Sequence, residues 1–218
     1  NALENLCSIS AYSSTLENDW ENFYSKRIKK KRQGDSRRQL KRLSEMGDLF
    51  FDPDCVRTTK QTVIGKMIEH KRYRYHQTKT TDFLYKKENR DFYYGLTKVK
   101  NTPCLKFHYS SLILNDDLIS VHFGIVWNNK FYYLMPASDT KNYQFSLGRL
   151  LLEKLLKISC QKGVSVFDFT VGAEEYKKSW CDIEILLFDH ISSKTLRGFL
   201  FVKYYRFYTK LSKNKIIK

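Results

Sequence analysis

Residues 104–138 hold three extended runs, about 104–114, 117–127 and 130–136, joined only by Asn-Asp-Asp and Asn-Asn-Lys. Joints that short leave no room for a crossover, so neighbouring runs must pair antiparallel. Asn and Asp also tolerate the left-handed angles that two-residue hairpin turns require. A three-stranded meander is therefore the piece around which the rest of the chain has to pack. Downstream, Leu147, Leu150, Leu151, Leu155, Ile158 and Ser159 recur at spacings of three and four, which predicts a helix over 146–162 ended by Gly163. VSVFDF follows as a strand, GAEEYKKSW as a short helix or turn, IEILLFD as a last strand, and 196–211 as an aromatic and basic helix. Hairpins, helix, strand, short helix and strand, in that order, give a mixed α/β sheet with crossover helices.

Upstream of the meander, residues 1–20 show weak periodicity. Helices are expected from Trp20 through Arg42, broken near Gly34-Asp35 and finished at Gly47. A short strand in LFFD is stopped by Pro53. TTKQTVIGKMIEHKRYRYHQ reads as a helix that turns Val63, Ile64, Met67 and Ile68 to a core, and 81–96 as a further helix or irregular connection. These patterns divide the chain into a basic helical segment at 1–45, read as the remnant of a larger upstream region, a mixed α/β domain at 46–195, and a basic aromatic helix or tail at 196–218.

The formal charge of +16 is concentrated: residues 21–45 carry ten Lys or Arg against Glu21, Asp35 and Glu45, and residues 203–218 carry six and no acid. Such a field draws phosphates, nucleic acid or acidic lipid headgroups. Cys7, Cys55, Cys104, Cys160 and Cys181 are dispersed, with no C-x-x-C pair. They read as free thiols of a reducing, cytoplasmic compartment, and no metal site is expected. The opening NALENLCSIS has neither an initiator Met nor a signal-peptide pattern and reads as a cut or processed start.

The stretch SLGRLLLEKLLKI carries the strongest chemical hint. If Ser146 caps the helix, the amides of Leu147, Gly148 and Arg149 are among its first unspent donors. Gly148 has no Cβ to obstruct a ligand, and Arg149 adds a positive charge. A phosphate or pyrophosphate suits that end. Because the preceding element is a hairpin strand, and neither G-x-G-x-x-G nor G-x-x-x-x-G-K is present, the ligand is not a dinucleotide in the usual strand–loop–helix cradle.

The segment SLGRLLLEKLLKISCQKGVSVFDFTVGAEEYKKSW resembles the acetyltransferase domain of CelD-like (cellulose-biosynthesis protein CelD) proteins. These belong to the GNAT acyltransferase superfamily and are related to Fem-type peptidoglycan aminoacyltransferases. The matching features are a small-Gly pair opening a leucine-rich helix, the Gly that closes it, the F-D-F strand, a Gly and acidic turn, and Tyr176-Lys177. Weaker similarity reaches upstream through the Asp139 loop to the basic helix YSKRIKKKRQGDSRRQLKRL. Where family members carry Pro before the helix-opening Gly, this chain has Leu147, which can reach the same angles without being pre-set to them.

The resemblance implies a GNAT-like, mostly antiparallel central sheet with flanking helices. It implies transfer of an acyl group, most simply acetyl from acetyl-CoA, to an amine of a sugar or cell-envelope precursor. Leu134, Met135, Pro136 and Ala137 would offer backbone groups to pantetheine, and Ser146, Leu147, Gly148 and Arg149 would receive the pyrophosphate. Asp168, placed by alternation opposite Phe167 and Phe169, and His122, one strand over, are the candidate bases, with His108 behind them. Tyr176 is the candidate proton donor to the leaving thiolate. Asp139, Glu174, Glu175 and Lys177 are the candidate acceptor or phosphate contacts.

Each assignment has a plainer counterpart: a loop-tethering carboxylate, hydrogen-bonded sheet histidines, a ring packed under the sheet, helix-terminal acids. Two other functions fit the charge. A nucleic-acid-binding module is favoured by KRIKKKRQGDSRRQLKR and HKRYRYHQ, and a peripheral attachment to the acidic inner face of a membrane by the basic ends. Aminoacyl-tRNA, the donor of the Fem-type relatives, is a variant of the transferase reading.

Overall fold

The computed structural model describes the backbone of residues 3–172 and 174–215, and the side chains of 9–172, 174–188 and 190–208. Cys7 and the end of the basic tail lie outside those described side chains. The elements run β1 (Leu3–Thr15), α1 (Trp20–Arg27), α2 (Lys30–Met46), β2 (Leu49–Asp52), α3 (Lys60–Thr78), α4 (Lys87–Leu96), β3 (Leu105–Leu114), β4 (Asp117–Trp127), β5 (Lys130–Ser138), α5 (Leu147–Gln161), β6 (Val166–Val171), α6 (Glu175–Lys178), β7 (Ile183–Ile191) and α7 (Leu196–Lys215), with 3-10 turns at Phe83–Tyr85 and Tyr143–Phe145. The hydrogen-bonded strand order is β2-β3-β4-β5-β6-β1-β7. The mixed, mostly antiparallel sheet with flanking helices is thus as expected.

The meander forms because its turns fit. Asn115 and Asp116 have φ of 48° and 70°, and Asn128 and Asn129 have φ of 46° and 60°, so both hairpins carry positive φ at both central residues, as type I′ turns do. Asn115 also accepts the Asp48 amide at 2.9 Å, which fixes the end of α2 against the hairpin. The approach leaves no space for a side chain at Gly47 (φ 157°), where a Cβ would meet Asn115 Oδ1 at 1.9 Å.

Two compact units are present: residues 12–170 with 174–183, and residues 1–11, 171–173 and 184–218. In the larger unit the two sheet faces are covered by different helices. Leu150, Leu151, Leu155 and Leu156 of α5 join Leu112, Phe131, Tyr133, Phe167 and Phe169 in one cluster. Val63, Ile64, Met67 and Ile68 of α3 join Tyr109, Ile113, Val121 and Phe123 in the other. In the smaller unit β7 is followed by α7, and the Gly172 amide donates to the Ser10 carbonyl at 3.2 Å.

Three expectations differ from what is observed. Residues 3–15 are a strand, not part of a helical segment. At the end of β1 Tyr12, Ser13 and Ser14 are buried in succession, so that stretch shows no alternation to read. The helices break at Ile28, which is extended (φ −121°, ψ 124°) and buried, whereas Gly34 lies inside α2. The basic segment is also not a separate domain. Phe23, Ile28 and Leu43 sit in the main cluster, Ser36 Oγ donates to Glu153 at 2.9 Å, and Arg149 pairs with Asp35. Its cations Lys30, Lys31, Arg37, Arg38 and Lys41 face solvent on the other side of α2. Among the described residues Cys55, Cys104, Cys160 and Cys181 are free thiols, as expected.

Candidate functional site

The sheet opens beside β5. Strands β5 and β6 pair in parallel only at Lys130, Phe131 and Tyr132, opposite Val166, Phe167 and Asp168, after which β5 runs on to Ser138 alone on that side. Two local features stop the pairing. Between β4 and β5 the register jumps from Phe123↔Met135 to Gly124↔Tyr133, so Leu134 is an extra residue that bends β5. On β6, Thr170 adopts φ 60° and its amide donates to Asp168 Oδ1 at 2.6 Å. Pro136, which has no amide to pair, lies on the bent segment.

A cleft of about 490 Å³ occupies this opening. Its floor is Tyr133, Pro136, Ala137 and Ser138 of β5, one wall is Gly148, Arg149 and Leu152 of α5, and the other is His70, Lys71, Arg74 and Tyr75 of α3. Arg32 of α2, Glu174 and Tyr176 complete it. The volume falls within the range of small-molecule sites, roughly 300–1,000 Å³.

The first turn of α5 explains what such a cleft can hold. Ser146 takes the left-handed region (φ 53°, ψ 44°) and makes no side-chain cap. Its carbonyl accepts from Arg149 N at 2.9 Å and Leu150 N at 3.2 Å, so the Arg149 amide is spent, contrary to expectation. The amides of Leu147 and Gly148 have no partner among the described residues. The Leu147 side chain is buried in the core, which leaves its amide as its contribution. At Gly148 a Cβ would lie 3.4 Å from Ser138 Oγ, and that hydroxyl is held by Ser120 Oγ at 2.7 Å.

The charge distribution also departs from the sequence reading. Arg149 lines the cleft, but its guanidinium is engaged by Asp35, which also pairs with Arg38. The Arg149 hydrogen bond, opposed by partial desolvation, holds the Asp35 carboxyl below its ordinary value. The other cations at the cleft are Arg32, Lys71 and Arg74. Burial, reinforced by repulsion from Arg74, lowers the pKa of Lys71, so an incoming anion would favour its charged form.

Glu174 pairs with Lys177 Nζ at 2.9 Å. Desolvation opposes its ionisation, yet the hydrogen bond and charge of Lys177 prevail and keep it below the usual carboxylate value. Burial, then the Glu174 charge, pushes the Tyr176 hydroxyl well above its ordinary value, so it stays protonated.

Of the sequence candidates, Pro136, Ala137, Gly148, Arg149, Glu174 and Tyr176 line this one cleft. Leu134 and Met135 lie on the bent strand, and Ser146 and Leu147 at the helix start, adjoining it in sequence. Glu175 is exposed and lines none of it, and Lys177 is buried beneath Glu174. Asp139 accepts from the Lys141 amide at 2.8 Å and lines a neighbouring pocket that shares His70 with the cleft.

Neither candidate base lines the cleft. Asp168 is 8% exposed and is held by Lys130 at 2.7 Å as well as by Thr170, so it ties β5 to β6 and braces the bend. His122 is fully buried, stacked on Tyr133 at 4.7 Å and Phe131 at 5.6 Å, and neither of its ring nitrogens has a hydrogen-bond partner among the described residues. Burial, with repulsion from His108, drops its pKa well below the ordinary value, and burial drops that of His108 to about 4.

Those histidines make stability fall with acid. Unfolded, each takes up a proton near pH 6.5; folded, each resists it, so the unfolded chain binds more protons below that value. Stability is complete above pH 6.5 and is lost as the pH falls toward the folded values, by about 1.4 kcal/mol per unit for each histidine. Urea midpoints should therefore drop between pH 7 and pH 5, and a His122→Phe chain should show a visibly smaller drop. An equal drop in both chains would remove His122 from this account.

The sequence reading missed the α3 wall. His70, Lys71, Arg74 and Tyr75 recur at i, i+1, i+4 and i+5, which puts them on one helix face. That spacing was the available signal within HKRYRYHQ. Among the described residues no group of three metal-ligating side chains is present.

Residues 29–178, more than two thirds of the chain, match the family model described as acetyltransferase (GNAT) domain. No curated protein matches the sequence. Among solved structures, a conserved protein of unknown function from Bacteroides thetaiotaomicron superposes with a TM-score of 0.53 at 11% identity, covering 87% of this chain and 61% of that one. The C-terminal domain (DUF2156) of a candidate lysylphosphatidylglycerol synthetase from Agrobacterium fabrum superposes with a TM-score of 0.55 at 9% identity, covering 92% of this chain and 64% of that one. This chain therefore spans a little over three fifths of either, and at those identities the likeness concerns the fold.

Proposed function

We propose that this protein, which belongs to the acetyltransferase (GNAT) domain family, is an N-acyltransferase that moves an acyl group, most simply acetyl, from acyl-CoA to an amine of a sugar or cell-envelope precursor. The observation that carries the reading is the coincidence of a splayed β5 edge with the unspent amides of Leu147 and Gly148. Pantetheine would lie along Leu134, Met135, Pro136 and Ala137. The pyrophosphate would be received by the amides of Leu147 and Gly148, with charge from Lys71, Arg74 and Arg32. Ser138 is added to this set because its hydroxyl faces Gly148.

In the reaction the amine nitrogen attacks the thioester carbon, the carbon–sulfur bond breaks, and the proton lost by nitrogen goes to sulfur or solvent. Glu174, ionised and at the cleft, holds the incoming ammonium, which releases one proton to solvent before it attacks; the second proton, lost after attack, is the one that goes to sulfur. Tyr176, kept protonated, donates a hydrogen bond to the departing sulfur. Asp168 and His122 then serve as braces of the sheet rather than as the base. The CelD-like kinship and the polysaccharide setting belong to the same proposal and rest on the residues that carry that resemblance.

Acetyl-CoA with a panel of amino sugars, read by release of free thiol, tests this. Turnover should appear with at least one amine, and Tyr176→Phe should lower kcat by about a hundredfold with little change in the KM for acetyl-CoA. An unchanged kcat would remove Tyr176 from the chemistry.

An aminoacyl donor is the second reading. The structural likeness to a domain named for joining lysine to phosphatidylglycerol favours it, as does the cationic wall built from Lys71 and Arg74. Transfer from aminoacyl-tRNA without thiol release from acetyl-CoA would select it. The same α3 wall also weakens the nucleic-acid module, because His70, Lys71, Arg74 and Tyr75 line a cleft instead of an open groove.

A further inference from the structure

Helix α2 turns one polar stripe toward α5 and the cleft. Arg32, Asp35, Ser36 and Gln39 stand at i, i+3, i+4 and i+7, which sets them on one face. Two of them are fastened to α5: Asp35 Oδ2 accepts from Arg149 Nη2 at 2.5 Å, and Ser36 Oγ donates to Glu153 Oε1 at 2.9 Å. Arg32, one turn earlier, lines the cleft and donates to Ser179 Oγ at 3.2 Å. The stripe therefore brings a carboxylate, Asp35, to a cation of the α5 wall.

That carboxylate holds Arg149 without exhausting it. Arg149 lines the cleft, whereas Asp35 does not. The two side chains are 18% and 29% exposed, so water screens the pair only in part. A guanidinium carries five N–H donors in a rigid fork that suits two phosphate oxygens side by side. Arg149 Nε is buried and has no hydrogen-bond partner among the described residues, so a donor remains for a ligand. Glu153, the other carboxylate whose charge reaches Arg149, is already held by Ser36 and Tyr24. Asp35 has a second partner in Arg38, which faces solvent, so it keeps an ion pair when Arg149 takes another anion. Exchange of partners at Arg149 thus leaves neither Asp35 nor Arg149 without a counter-charge.

We infer that Asp35 is a positioning residue that sets the affinity of the cleft for its anionic ligand: it occupies the Arg149 guanidinium, and an incoming pyrophosphate takes its place there while Asp35 stays with Arg38. Part of the attraction between phosphate and guanidinium goes into breaking the ion pair. Donor and product are thereby kept from binding too tightly to exchange. This role of Asp35 rests on the acyl-CoA reading of the cleft and gives that site a restraint from outside its lining.

Titration of the whole chain with coenzyme A and with inorganic pyrophosphate tests this. Asp35→Asn and Asp35→Ser both remove the charge at a part-exposed position, and circular dichroism checks that each folds. Either variant should bind coenzyme A about tenfold more tightly than the parent, with a steeper dependence on salt. An Asp35→Asn, Arg149→Gln double variant should lose that gain. In turnover, Asp35→Asn should lower the KM for acetyl-CoA and make coenzyme A a stronger product inhibitor. A merely structural Asp35 would give the opposite sign, since loosening α2 would weaken binding. Equal or weaker binding by the folded single variants, or a gain that survives Arg149→Gln, overturns the proposal while leaving the cleft as the donor site. A folded parent that binds neither coenzyme A nor pyrophosphate overturns the acyl-CoA reading, and the role of Asp35 with it.

Discussion

A Gly148→Asp chain is expected to fold as the parent does and to lose affinity for coenzyme A by about a hundredfold or more. The two halves of that expectation rest on different observations. Folding survives because a Cβ at this position meets only the Ser138 hydroxyl at 3.4 Å, an ordinary contact. A carboxylate in the first turn of a helix is moreover on the favourable side of its dipole. Binding fails because the new carboxylate occupies the place where the Leu147 and Gly148 amides would meet the pyrophosphate. Two like charges about 4 Å apart at an effective dielectric of about 20 cost about 4 kcal/mol, more than enough for the stated loss. Gly148→Ala, which adds the Cβ without the charge, should lose far less. Circular dichroism establishes the fold of each variant, and displacement of a fluorescent coenzyme A analogue reads the affinity. Equal affinities in parent and Gly148→Asp would move the phosphates away from α5.

Trp180→Ala should cost about 3–5 kcal/mol of stability, the largest single-residue loss expected in the larger unit. Trp180 is fully buried and stacks on Phe23 at 6.3 Å and on Tyr24 at 5.9 Å, joining α1 to the segment that follows α6. Its carbonyl accepts from Ser14 Oγ at 2.8 Å, which ties the same point to β1. The indole nitrogen has no partner among the described residues, so Trp180→Phe gives up an unpaired donor and only part of the ring. The phenylalanine variant should therefore keep most of the stability that the alanine variant loses. Urea midpoints of the three chains decide it: a loss below about 1 kcal/mol in Trp180→Ala would mean that this stack is not a principal support of α1.

The pattern of what the sequence disclosed follows from the range of the interactions involved. The hairpins were legible because Asn115-Asp116 and Asn128-Asn129 set their turns locally. Helix α5 was legible because its leucines repeat at a helical period, and the start of that helix, with Gly148, was legible with it. Strand β1 was not, because at its described end Tyr12, Ser13 and Ser14 are buried in succession and that stretch offers no alternation. The break at Ile28 rather than Gly34 depends on the burial of one isoleucine by elements far away in the chain.

The site divides the same way. Gly148, Arg149, Glu174 and Tyr176 come from the contiguous stretch that resembles a known family, Pro136 and Ala137 from the strand just upstream of it, and they converge. The α3 wall is contributed by a segment some distance upstream, and Arg32 by one further still, so nothing local announced their partners. Alternation correctly set Asp168 opposite Phe167 and Phe169, but the group it meets there is Lys130 and not the cleft. Arg149 illustrates a further limit: its charge was visible, while its engagement by Asp35 depends on how α2 crosses α5.

The account stands or falls on whether the opening beside β5 accepts an acyl-CoA. Calorimetric titration of the folded parent chain with acetyl-CoA asks this without any assumption about the acceptor. One site per chain with micromolar affinity, competed by coenzyme A, is the predicted result. A folded chain that releases no heat and leaves acetyl-CoA free would contradict it.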